Sequence, residues 1–458
     1  MSSVRAVPAR AWVVTFAGTA INLCLGILYA WNVWKNSLIE TAGHPAGTEM
    51  DPEGLNAGWQ YLSRADATWA YSICGFVFAM SMIAGGRLQD RYGPKLCATG
   101  GGLCLAVGCI LSGLMKSYFG LILGFGILGG IGMGLAYAAT TPAAVKWFGP
   151  HQRGFIVGIV VGGYGGAAIY ISPLAKYLIA DYGISGSFIV LGIFFAAVVI
   201  IAGQLLSWPP SEYIPPAAPV AVTQSTDITA TPPKLTPPSR TETPSAGRDW
   251  SAGGMLGTIQ FYALVFLFFG SAQSGLLVIG NATQLLADTA RNDTAEMVAF
   301  FAGNAWILSS YGGLINAVGR VGTGLYSDWI GRTGAYLGNG VISALCLLAT
   351  PWIMRSGNVS LLFLAVGIAY WQYGGGLALL PAFTADFFGS KNLGFNYGLV
   401  FIGWGVAFGV VQVAGYIENV TGSLDYAFYL SGGLLIAAVI LCLFTKKPIA
   451  PDEANRAI

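Results

Sequence analysis

The chain has 458 residues, 55% of them hydrophobic and only 9% charged, with a mean hydropathy of +0.65. Soluble domains carry about 25% charged residues, so a water-soluble fold is excluded and an integral membrane protein is indicated. The formal net charge of +2 leaves no basic excess that would suit nucleic acid.

Apolar runs long enough to cross a bilayer recur from end to end. The first, residues 11–34, has no charge between Arg10 and Lys35. It is too long for a signal-peptide core, so it is read as a retained span. Five more follow at residues 67–87, 96–115, 118–142, 154–176 and 185–207. A second set of six lies at 257–280, 299–327, 335–353, 359–383, 395–416 and 426–445. Alternation over short segments is absent, so these runs predict helices rather than a β-barrel. The 65 glycines suit close packing of membrane helices.

Between the two sets, residues 208–248 hold ten of the 21 prolines, with many Ser, Thr and Ala. That composition predicts a solvated linker. The expected organisation is a six-helix bundle over 1–207, a linker over 208–256, a second bundle over 257–446 and a tail over 447–458. Lys and Arg gather after spans two, four, eight and ten and in the tail: Arg87, Arg91, Lys95, Lys146, Arg153, Arg332, Lys391, Lys446 and Lys447. By the positive-inside rule both termini and the linker are expected in the cytoplasm. The polar stretch 35–66 is then outside, with room for a short helix.

The seven cysteines, Cys24, Cys74, Cys97, Cys104, Cys109, Cys346 and Cys442, all lie in apolar runs without a C-x-x-C pair. They are read as small buried hydrophobes. The two histidines, His44 and His151, sit in polar connections. No metal, disulfide or cofactor is expected. No G-x-x-x-x-G-K-[ST] loop is present, which argues against ATP-driven transport, and nothing suggests an enzyme.

One full positive charge, Arg320, sits inside the run WILSSYGGLINAVGRVGTGLYSDWIGR, residues 306–332. A guanidinium deep in a bilayer costs at least roughly 2.5–3.5 kcal/mol and normally faces a cavity or a partner. Its fork of donors matches a carboxylate. Asn316, four residues earlier, falls on the same helix face. Arg320 is therefore the candidate anion-binding centre, against the alternative of a structural arginine bonded to carbonyls. Asn316 either orients the guanidinium and touches the anion or makes a helix-packing bond.

The two halves repeat one another. GGRLQDRYGPK, Gly85 to Lys95, matches TGLYSDWIGR, Thr323 to Arg332, pairing Asp90 with Asp328 and Gly93 with Gly331. KWFGPHQRGFIVG, Lys146 to Gly158, matches DFFGSKNLGFNYG, Asp386 to Gly398, and Pro142 and Pro381 fall in nearly the same register. Halves so related place a substrate site between them, near the midplane, and rock about it.

The Gly86–Lys95 segment resembles the signature loop between the second and third helices of the major facilitator superfamily. Within it, LGILYAWNVW, KWFGPHQRG, LPAFTADFFG and NYGLVFIGWG resemble the oxalate/formate antiporter family, which is related to the monocarboxylate (lactate, pyruvate) transporters. The resemblance implies an all-α membrane protein, twelve transmembrane helices in two pseudo-symmetric six-helix bundles, and transport of small carboxylates. It implies a monomer and suits a bacterial inner membrane. It aligns Arg320 with the family's eighth-helix arginine. It also makes Asp90, Arg91, Asp328 and Arg332 latches of the cytoplasmic side, where loop solubility is the alternative.

The resemblance also marks departures. The oxalate carriers bring a second cation, a lysine in the eleventh helix, where this chain has Trp404; no Lys or Arg occurs from Gly394 to Gln412. One fixed cation matches one carboxylate, so a monocarboxylate such as lactate, pyruvate or formate is expected. Where mammalian-type monocarboxylate carriers have an aspartate one turn before the arginine, this chain has Asn316. Tyr29, Trp31, Tyr137, Tyr373 and Trp404 are candidate pocket walls, Tyr137 and Tyr373 foremost, or else packing and interface anchors. No Asp, Glu or His is expected mid-span, so proton symport, exchange and facilitated flux all stay open. The alternatives are an oxalate/formate-type dicarboxylate exchanger, another organic-anion carrier of this fold, or a non-transporting sensor, which the short linker disfavours.

Overall fold

The computed structural model describes residues 7–41, 43–149, 152–210, 212–216, 249–389 and 392–449, except the side chains of 153, 154 and 302. The expected linker falls mostly outside the described residues, as do His151, Lys391 and most of the tail.

Among the described residues the chain is helical, with only isolated β-bridges in the stretch that follows the first span. Ten segments are long and apolar enough to cross a membrane. One of them, Phe155–Leu205, has 51 residues and bends at Gly183, where φ is 69°. It therefore makes two crossings. Ile307–Ile330 is a further helix of 24 residues whose hydropathy is diluted by Asn316 and Arg320. Twelve crossings result. We label them α1 Ala9–Leu38, α2 Arg64–Tyr92, α3 Pro94–Met115, α4 Tyr118–Val145, α5 155–182, α6 184–205, α7 Ile259–Ala290, α8 Ile307–Ile330, α9 Arg332–Ser356, α10 Val359–Phe388, α11 Leu393–Thr421 and α12 Asp425–Phe444.

With an even number of crossings, the described ends of the chain share one face of the molecule, called here the terminal face; the opposite one is the far face. Arg10 at the start of α1 donates to Ser207 just after α6, at 3.3 Å.

Helix packing follows from the small residues. A Cβ on Gly108 of α3 would lie 2.4 Å from the Gly124 carbonyl of α4, and one on Gly124 equally close to the Gly108 carbonyl. Dispersion over such close backbone contact, rather than hydrophobic exclusion, holds helices together in lipid. Within each half the helices pack on their neighbours; between the halves α2 lies on α11 and α5 on α8.

The internal repeat has a backbone counterpart. Gly93 after α2 has φ 86°, ψ 163° and Gly331 after α8 has φ 80°, ψ 155°. Few residues other than glycine adopt that corner.

Several boundaries differ from the predicted ones. Helical structure in α1 continues through Trp31–Leu38, after a 3-10 stretch at Gly26–Ala30. The stretch after it contains no helix among the described residues; it docks on the α5–α6 corner, where Asn56 accepts from the Ile184 amide at 2.8 Å and Trp59 donates to Ser185 at 2.9 Å. The run expected at 299–327 is two helices, Ala295–Asn304 and α8. Helix α7 continues ten residues past its expected end and α11 five, because amide and carboxylate side chains there find partners in protein rather than water. The ends of the expected linker are anchored: Tyr213 donates to the Trp147 carbonyl at 2.9 Å, and Ala252–Leu256 is a short helix.

Candidate anion-binding site

The 3.6-residue period sets Asn316 and Arg320 one turn apart on the face of α8 turned into the protein. Arg320 lies about 20 Å along α8 from its start, past the middle of the helix. Its side chain is only 4% exposed and Asn316 is fully buried. Glycines make the room. A Cβ on Gly165 of α5 would sit 3.1 Å from Arg320 Nε, and one on Gly374 of α10 would sit 2.3 Å from the Asn316 carbonyl.

Arg320 donates from Nε to Asn316 Oδ1 at 3.3 Å, from Nη1 to the Val161 carbonyl at 3.0 Å and from Nη2 to the Tyr29 hydroxyl at 3.4 Å. Val161 and Tyr29 belong to the first half, so this one side chain spans the seam. All three partners are neutral, and among the described residues Arg320 forms no ion pair. Asn316 Nδ2 is buried with no hydrogen-bond partner. A buried guanidinium without a counter-charge beside an unsatisfied amide N–H is costly unless something anionic completes it.

A ring of aromatic residues closes over the guanidinium. The Tyr29 and Tyr373 hydroxyls are 2.6 Å apart across the seam, and Trp404 Nε1 donates to Tyr373 Oη at 2.8 Å. Tyr164, not singled out from the sequence, stands edge-on to Tyr29 at 4.9 Å and to Tyr137 at 5.5 Å. Phe78 packs on Tyr137 at 5.5 Å and on Trp404 at 5.0 Å. Gly275 of α7 admits the Tyr373 ring, since a Cβ there would fall 2.3 Å from Tyr373 Cβ.

The structure thus gathers Arg320, Asn316, Tyr29, Tyr373 and Trp404 by hydrogen bonds, with Tyr137 beside Tyr164 and interacting with Arg320 itself. Trp31 lies apart. Its ring stacks on Phe125 at 4.7 Å and its Nε1 donates to the Ala67 carbonyl at 3.1 Å, which makes it a packing residue within the first half. Two residues on from Tyr29, it leaves α1 on a different face.

At the terminal face the four expected latch residues behave differently in the two halves. Asp328 and Arg332 pair at 2.6 Å, with Asp386 at 3.8 Å from Arg332 and Ser327 as a further partner. Asp90 accepts from its neighbour Gln89 at 3.1 Å, and Arg91 lies over Tyr92 at 5.2 Å, so these two are not joined. One contact that crosses the seam here is Arg87 over the Phe395 ring, at 4.4 Å. Its signal in the sequence was only that Arg87 sits in the signature loop.

With this geometry in view, the comparison with known proteins is decisive at the level of family. The sequence profile of the Major Facilitator Superfamily matches residues 11–373. The chain belongs to the Major Facilitator Superfamily. It is therefore a transporter rather than an enzyme. Relatives include YhjX of Escherichia coli K12, an uncharacterized transporter of this superfamily, 24% identical over 86% of this chain and 85% of the relative. An oxalate:formate antiporter of Oxalobacter formigenes is 24% identical over 81% and 76%. Monocarboxylate transporter 12 of Rattus norvegicus is 25% identical over 83% and 78%.

Proposed function

We propose that this superfamily member carries small monocarboxylates, such as lactate, pyruvate or formate, by alternating access, with Arg320 binding the carboxylate. The observation that carries the reading is the buried Arg320 fork whose described partners are all neutral, beside the unsatisfied Asn316 amide. A carboxylate supplies two acceptors in the plane of that fork. The ring of Tyr29, Tyr373 and Trp404 offers hydroxyl and indole donors on an otherwise apolar wall, suited to an anion with a short hydrocarbon or carbonyl body. Trp404 brings a neutral N–H where a second cation would favour a dianion. The similarity to an oxalate:formate antiporter and to monocarboxylate transporters supports the substrate class.

In this reading the halves rock about the site, tethered by the 208–256 segment, with the terminal face cytoplasmic in a cell membrane. The Asp328–Arg332 pair steadies that face in one state. The test is uptake of labelled L-lactate into proteoliposomes, with and without a proton gradient and with pyruvate, formate or oxalate inside. Uptake into empty vesicles driven by the gradient means symport; uptake only into preloaded vesicles means exchange. Oxalate handled in preference to every monocarboxylate would overturn the substrate assignment.

A further inference from the structure

Helix α4 does not wind uniformly. It is α-helical at Tyr118–Leu121 and at Gly130–Val145 but π-helical between them, over Ile122–Gly129, the one such stretch among the described residues. A π turn closes its hydrogen bond one residue further along than an α turn. Such turns are rare, and many lie at functional sites.

The cause lies in α3. Ser112 is fully buried and turns its hydroxyl to the backbone of α4. Its Oγ accepts from the Phe125 amide at 2.9 Å. It donates either to the Gly120 carbonyl at 3.3 Å or to the Gly108 carbonyl of its own helix at 3.0 Å. Phe125 and Gly120 are the two ends of one π rung, so the hydroxyl is wedged into that rung. A side chain inserted into the ladder is a recognised cause of helix distortion. Glycine admits the wedge: a Cβ on Gly124 would lie 2.4 Å from Ser112 Oγ and 2.4 Å from the Gly108 carbonyl. Elsewhere among the described residues, the backbone amides that donate to side chains lie at helix starts or in connections rather than inside a span.

The wedge has a consequence further along α4. One residue more in a turn rotates everything beyond it by about 100° relative to an unbroken α-helix. Tyr137 lies two turns beyond the π stretch, beside Tyr164 and interacting with Arg320. Met133, one turn before Tyr137 on the same face, places Sδ 3.8 Å from Cys74 Sγ of α2. Wound as α throughout, the same residues would turn both side chains away from these partners.

We propose that Ser112 is a positioning residue: by holding α4 in its π turn it sets the register that brings Tyr137 to Arg320. The inference rests on the reading of Arg320 as the anion site, and adds to that site a residue of α3 that acts only through α4.

A deletion separates register from mere stability. Ser112→Ala removes the wedge and leaves the buried Phe125 amide without its acceptor, which favours rewinding to α. Deleting Leu123 as well removes the extra residue. The short Tyr118–Leu121 turn takes up the change, and an unbroken α-helix carries Gly124 onward in its original register. Two readouts apply to the full chain. The first is equilibrium titration with pyruvate. The second needs no solute: Met133→Cys is oxidised in membranes with copper phenanthroline, and its disulfide with the native Cys74 is followed by mass, the chain without Met133→Cys serving as the blank. Ser112→Ala should bind pyruvate several-fold more weakly and cross-link several-fold more slowly. With Leu123 also deleted, both should return to the parent's values, whereas a hydrogen bond lost for stability alone would not be restored by a deletion. Cross-linking of Ser112→Ala as fast as in the parent would overturn the proposal, as would affinity and cross-linking that stay low after the deletion. Should Ser112→Ala not be recovered from membranes, the deleted form carries the test: recovery with the parent's cross-linking supports the proposal, and its loss overturns it. A parent that binds no carboxylate would defeat the reading of Arg320, while the cross-link would still decide the register of α4.

Discussion

Arg320 carries the largest consequence of any single side chain. Lysine keeps the charge but not the planar fork that reaches Asn316, Val161 and Tyr29 from three nitrogens. Loss of one or two charge-assisted bonds, at roughly 1.5–3 kcal/mol each, corresponds to a fall of roughly tenfold to a hundredfold or more in anion affinity. Arg320→Lys should accordingly lose most uptake at matched expression. Tyr373→Phe removes the hydroxyl that meets both Tyr29 and Trp404. That change should leave the protein folded and weaken anion binding several-fold in an equilibrium titration. Trp404→Lys places a second cation in the same ring and should raise the competition of oxalate with lactate for uptake; unchanged competition would remove Trp404 from the pocket. Arg320 was legible in the sequence because a guanidinium inside an apolar run is too costly to leave facing lipid and must turn to a cavity or a partner. Tyr164 was not, because nothing separates a tyrosine that walls a site from one that packs a core until the helices are placed. Trp31 shows the converse: it shares a segment with Tyr29 but turns to Phe125.

At the scale of elements, the apolar runs located the spans, but their ends were drawn where polar residues begin. That rule fails where polar side chains are satisfied inside the protein. Gln284, Asp288 and Glu418 therefore belong to α7 and α11 rather than to loops, and the Arg64–Glu418 pair could not be read from the sequence. The paired corners were legible, since Gly93 and Gly331 fall at one repeat offset. Each holds a conformation that costs other residues of order 1–3 kcal/mol. Gly93→Ala and Gly331→Ala should each lower the melting temperature in detergent, with nearly additive effects because the corners lie in different halves. Gly275→Ala forces a methyl group into the Tyr373 ring. Overpacking of that kind typically costs about 1–3 kcal/mol. It should reduce both thermal stability and anion affinity, since the ring it displaces is part of the proposed site.

For the whole molecule, the composition and the internal repeat were enough to indicate two six-helix bundles with a site between them, and family membership agrees with that architecture. The surface that joins the bundles was not legible. Contacts across a seam depend on how two bundles meet, and the sequence pattern of either one is silent on that. The result is one chain with two polar levels along the seam: Arg320 with its tyrosines at the centre, and Arg64–Glu418 at the far mouth. The claim on which the rest depends is that Arg320 is the anion site, and equilibrium titration of the purified protein tests it most directly. Pyruvate, lactate and formate should be titrated into the parent chain, Arg320→Lys and Arg320→Gln, with melting curves to show that each is folded. Saturable binding to the parent, much weakened in Arg320→Lys and lost in a folded Arg320→Gln, is the expected result; binding of equal affinity by folded Arg320→Gln would contradict it.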